Sequence, residues 1–195
     1  MTIRRLCTAL TLLCASVLLS ACYVSSTVAP ASDGLDERLA GPWVGLDEKG
    51  KVAPGAFLHF VKAKEKKPPR MIAVSPEGVE IYELHTVRTG AKGAFAAKRI
   101  LAESEDDADK MSEDYVLGLY EFRGNRFAFS ILSTEKVAAL VDAGKVKGIK
   151  GTGTFFDVKL TGSPEELAAF LRSPEAAKAG AEKMRAIARK LPPQR

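Results

Sequence analysis

The chain has 195 residues, enough for one domain that buries about 70% of its unfolded surface. Its formal net charge of +5 is too mild to point to nucleic acid; solubility, or a modest affinity for anionic headgroups, fits it better. All three cysteines, Cys7, Cys14 and Cys22, fall in the first 22 residues, which excludes a disulfide, a thiolate metal site or a cysteine nucleophile from the rest.

The N-terminus is ordered as a secretory signal. Arg4 and Arg5 come first, then the apolar run Leu6 to Leu19, then small residues before Cys22. The apolar run falls short of the roughly 20 residues that a spanning helix requires. Leu19-Ser20-Ala21-Cys22 resembles the lipobox of bacterial lipoproteins. The resemblance implies that residues 1–21 are removed, with Leu19, Ser20 and Ala21 as recognition positions. It also implies a diacylglyceryl group on the Cys22 thiol and a further acyl chain on the new amine. Two or more acyl chains turn marginal membrane binding into stable anchoring. Tyr23 follows the cysteine, where enteric-type lipoproteins of the inner membrane carry Asp, so the resemblance favours the outer membrane.

Residues 22–38 are expected to form a lipidated start and a flexible tether, because Tyr23 to Glu37 is rich in Ser, Thr, Ala, Pro and Gly. A single β-rich domain is expected over 39–195. Eight strands are predicted: Trp43–Asp47, Ala56–Lys62, Arg70–Ser75, Val79–Arg88, Ala94–Ala102, Asp114–Phe122, Arg126–Leu132 and Thr154–Thr161. Turn residues separate them at Glu48-Lys49-Gly50, Lys67-Pro68-Pro69, Pro76-Glu77-Gly78, Gly90-Ala91-Lys92-Gly93 and Arg123-Gly124-Asn125. Short connections make successive strands antiparallel, and a meander of this length removes its edges by closing into a barrel, wholly or in part. Helices are predicted over Thr134–Asp142, capped by Ser133, and after the capping box Ser163-Pro164-Glu165-Glu166. A last helix, started by Ser173-Pro174-Glu175, would carry Met184, Ile187, Ala188 and Leu191 on one side and pack on the barrel wall.

Leu39-Ala40-Gly41-Pro42-Trp43 resembles the Gly-x-Trp start of lipocalin-like (calycin) barrels. That resemblance implies that Trp43 closes the barrel base under the first strand and that a helix follows the last strand. The helix at Thr134–Asp142 departs from the family pattern, as does the lack of a counterpart to its later turn motif and closing arginine. The alternative is a core Trp in a different antiparallel fold.

Candidate chemistry is sparse. His59 and His85 fall in strands, where they could share one interior as a metal pair or an acid/base, but they lack the spacing of a metal frame, so packing or surface roles are expected. The acidic run from Glu103 to Asp114 fails as a calcium loop, because Lys110 and Val116 stand where glycine and glutamate belong, and it reads as a solvated hairpin loop, with weak cation binding as the alternative. Gly148, Gly151 and Gly153 fit no phosphate loop and read as a turn. Lys62, Lys64, Lys66, Lys67 and Arg70 read as a charged loop guarding strand ends, or as a contact for lipid phosphates. No nucleophile elbow occurs, so neither an enzyme nor a cofactor is expected.

Two functional readings follow. In the first, the barrel holds a small apolar or amphiphilic ligand between Phe57, Phe60, Tyr82, Phe95, Leu117, Tyr120, Phe129 and Phe156. In the second, the core is filled and the domain is a structural or protein-interaction module of the bacterial envelope.

Overall fold

The computed structural model describes residues 23–47, 49–63, 67–90, 92–102, 113–151, 158–180 and 186–192. After a short β1 (Val24–Ser26), seven strands follow in sequence: β2 (Gly41–Leu46), β3 (Val52–Val61), β4 (Arg70–Ser75), β5 (Gly78–Thr89), β6 (Lys92–Ala102), β7 (Tyr115–Arg123) and β8 (Arg126–Ile131). Each pairs antiparallel with the next. Two-residue connections join β4 to β5, β5 to β6 and β7 to β8. Gly90 and Gly124 enter the last two of these at φ 75° and 62°, which a side chain would resist.

The chain then leaves the wall and comes back. It forms α1 (Thr134–Asp142), β9 (Gly148–Lys150), β10 (Val158–Leu160), α2 (Pro164–Arg172) and α3 (Pro174–Ala179) before returning as β11 (Ala186–Lys190). β11 slots antiparallel between β8 and β2 and closes an eight-stranded antiparallel barrel. The helix starts match expectation. Ser133 accepts from the Lys136 amide, and Ser163 and Glu166 form a reciprocal capping box.

Three expectations are corrected. First, Ala186–Lys190 is a strand, not part of a long last helix: α3 ends before Gly180, whose backbone bridges to Leu132. The unpaired edges of β2 and β8 outweigh a helical stripe that packing alone would have to hold. Second, the segment predicted as Thr154–Thr161 does not supply the eighth barrel strand. Within its described part, Val158–Leu160 forms β10, which lies outside the ring and pairs parallel with β1. Third, the expected tether is part of the fold. Val24 is fully buried, Ser25 and Ser26 are nearly so, and Leu35, Asp36 and Leu39 are buried too. β1 takes the edge of β7 at Tyr115 and Val116, next to where β8 ends at Gly118. Backbone bonds supply this strand, so polar composition did not prevent it.

Two cores result, one on each face of the wall. Inside the ring, Trp43, Phe60, Tyr82, Leu84, Ala97, Tyr120, Phe127 and Ala188 pack with Leu35 and Leu39. Outside it, Val87, Ala94, Ala96 and Leu117 of β5, β6 and β7 meet Val24 of β1 and Val137, Val158, Leu160, Leu167 and Leu171 from the excursion. Among the described residues no helix is long and apolar enough to cross a membrane.

Candidate functional site

The barrel interior is where the fold could enclose a ligand. One end is shut by the segment before β2. Trp43, 1% exposed, donates from Nε1 to the Leu39 carbonyl at 2.7 Å and meets Phe127 edge-on at 4.7 Å. Phe127 in turn lies edge-on to Phe60 at 5.6 Å and stacked on Phe129 at 6.1 Å. Lys190 of β11 places its ammonium 5.4 Å from the Trp43 ring centre.

Two glycines make room for this packing. A Cβ on Gly118 would lie 2.3 Å from Phe95 Cζ and 2.6 Å from the Ser130 carbonyl oxygen. One on Gly93 would lie 2.2 Å from Tyr120 Cζ. The rings of Phe95 and Tyr120 therefore fill space that side chains on neighbouring strands would otherwise take.

A polar knot fastens the closed end. The Asp36 carboxylate is buried and accepts from Arg38 Nε at 2.9 Å and Nη2 at 2.6 Å. It also accepts from the Arg38 amide at 3.0 Å and from the Tyr120 hydroxyl at 3.0 Å. The Arg38 guanidinium lies 4.5 Å from the Phe122 ring centre and donates to the Gly90 carbonyl. Burial disfavours the Asp36 charge, but the hydrogen bonds from Arg38 and Tyr120 outweigh it and hold the carboxyl below its ordinary range. Burial, followed by the nearby Asp36 charge, pushes the Tyr120 hydroxyl up, so it remains a donor.

A small space remains towards the opposite end. A pocket of about 60 Å³ is lined by Leu58, Met71, Ala73, Tyr82, Phe129 and Ala188, with Phe57, Val74 and Ile187 at its margin. Glu80 reaches it, accepting from the Tyr82 hydroxyl at 2.9 Å and from Arg99 at 2.9 Å. Pockets that take drug-sized ligands run from about 300 to 1,000 Å³.

The eight residues proposed from sequence to line a ligand cavity are only partly brought together. Phe60, Tyr82, Phe95, Tyr120 and Phe129 belong to the interior cluster. Leu117 does not: it is buried in the outer core, against the excursion. Phe57 is 44% exposed on β3, outside the interior cluster, and meets Tyr82 and Phe129 only as part of the lining of the small pocket. Phe156, Cys22, Leu19, Ser20 and Ala21 lie outside the described residues, as do Lys64, Lys66, Gly153, Met184 and the acidic positions 103–109.

The outer wall carries a second polar group that sequence reasoning left apart. Glu83 accepts from the Tyr115 hydroxyl at 2.6 Å and pairs with His85 Nε2 at 2.8 Å. Lys98 stands over the Tyr115 ring at 5.8 Å. Burial works against the Glu83 charge, yet the bonds from Tyr115 and His85 keep its carboxyl below the usual range. The spacing Glu-x-His on one strand was the available signal, since period 2 puts both on one face. His59 is exposed on β3, two strands from His85 on β5, so the two histidines form no pair. Among the described residues no group of three or more His, Cys, Asp or Glu could hold a metal ion.

No family model, curated protein or solved structure matches this chain.

Proposed function

We propose that this chain is an exported lipoprotein, anchored through acyl chains on Cys22, whose barrel works as a rigid interaction module of the bacterial envelope. The observation that carries the second half is the filling of the barrel: aromatic rings and the Asp36–Arg38–Tyr120 knot leave about 60 Å³. A fatty chain of ordinary length does not fit such a volume, since pockets for such ligands are several-fold larger. The lipobox resemblance at Leu19-Ser20-Ala21-Cys22 supports the first half and favours the outer membrane. On this reading the domain works through its surface, without a cofactor and without catalysis.

One observation favours the ligand-binding reading. The residual pocket is mainly apolar, touches Phe129 and Tyr82, and has the Glu80 carboxylate in its lining to meet a polar head. A single experiment separates the two. Purified Cys22→Ala protein is titrated with a fluorescent fatty acid, and protein purified under native conditions is weighed intact. The module reading predicts no saturable fluorescence gain and no added mass. Stoichiometric binding, lost on Ala73→Trp in the pocket lining, would establish the container instead.

A further inference from the structure

We propose that the β9 edge, with Ile149 at its centre and Lys145, Lys147 and Lys150 around it, is the face that lies on an anionic lipid surface. The proposal rests on the anchoring of Cys22 put forward above. Its starting point is where the fold begins. Only Tyr23 separates Cys22 from Val24, which is fully buried in β1. Two residues span at most about 7 Å, so acyl chains on Cys22 hold the β1 end of the domain flush against the bilayer. Tyr23, half-buried, is the residue type that settles at a membrane interface, with an apolar ring and a polar tip.

The sheet geometry then decides what else touches the lipid. β1 pairs parallel with β10, and β10 pairs antiparallel with β9, which places Val24 level with Val158 and Lys150. Strand spacing puts Lys150 about 10 Å from the start of β1. β9 is the last strand of the sheet, so its outer edge has no strand neighbour among the described residues. Ile149 on it is 62% exposed, more than any other exposed large apolar side chain among the described residues. From Thr134 to Lys150 four lysines face two carboxylates, Glu135 and Asp142. Lys147 and Lys150 pair with Glu166 and Asp142 in exposed ion pairs that lipid phosphates can replace at little cost. An apolar side chain among lysines beside an acyl anchor matches the chemistry of an anionic bilayer surface.

Cysteine labelling provides the test, because a thioether-linked Cys22 leaves an introduced thiol as the sole reactive one after residues 1–21 are removed. Acylated full-length protein carrying Ile149→Cys is labelled with an environment-sensitive fluorophore. It is reconstituted in vesicles of phosphatidylethanolamine with phosphatidylglycerol and quenched with headgroup spin labels. His59→Cys is the control: it is exposed on β3, which stands four strands from β7 either way round the ring. The expected result is quenching several-fold stronger at 149 than at 59. That excess should shrink in phosphatidylcholine vesicles and when Lys145, Lys147 and Lys150 are changed to Glu. Equal quenching at the two positions overturns the proposal. Protection at 149 that persists in dilute detergent and rises with protein concentration also overturns it, and assigns the edge to a second copy. A Cys22 that itself takes the label marks failure of the anchor, and the proposal falls with it.

Discussion

Replacing Trp43 by alanine is expected to lower the thermal unfolding midpoint by about 10 °C. Truncating a buried Trp costs about 3–5 kcal/mol, and each kcal/mol shifts a domain of this size by about 2–4 °C. The site cannot collapse easily, because Phe127, Phe60 and Phe122 are already held by one another and by the wall. The Leu39 carbonyl also loses its donor, and with it a tie between the closing segment and β2. Trp43→Phe retains most of the volume and should lose less than half as much. Circular dichroism melts of both variants in a Cys22→Ala background measure this. A shift under about 3 °C for alanine would mean that the ring does not organise the closed end.

Asp36→Ala is expected to be nearly as damaging, by about 2–4 kcal/mol. Removing the buried carboxylate takes from Arg38 and Tyr120 their shared acceptor, although Arg38 is half-exposed and recovers some hydration. Asp36→Asn separates charge from shape and adds a pH signature. The folded carboxyl titrates below the ordinary 3.8, so its stabilising charge is present above that value and is lost as pH falls through the folded one. The stability gap between wild type and Asp36→Asn should therefore be constant near neutrality and close on acidification below about pH 4. A gap that widens in acid would contradict the arrangement. Tyr120→Phe should lower stability at neutral pH, because it removes the donor to Asp36 and leaves the ring in place.

The alternating strands were legible because each carries its own two-residue period and ends at a turn that only certain residues favour. Arg70–Ser75 was predicted residue for residue, and Arg126–Ile131 within one residue. The caps at Ser133 and Ser163 were legible for the same reason, since a capping box is a local device. What was not legible depends on partners distant in the chain. β1 has two serines in three residues and exists because β7 offers it an edge. β11 reads as a helical stripe in isolation and becomes a strand because two strands remain to be joined. The candidate site shows a similar division. Phe60, Tyr82, Phe95, Tyr120 and Phe129 fall in the interior cluster, whereas Leu117 sits on the opposite face of a strand that is apolar on both sides. Periodicity cannot tell the faces apart when an excursion covers the outside as well. Asp36, between Leu35 and Leu39, gives no local signal, because the composition around it is that of a tether.

The most direct test is the intact mass of the protein extracted from membranes of its native cells, beside a Cys22→Ala variant. The account predicts a wild-type chain that begins at residue 22 and carries diacylglyceryl and acyl mass, and a variant that leaves the membrane fraction. A wild-type chain of unmodified mass, or one that still carries residues 1–21, would contradict it.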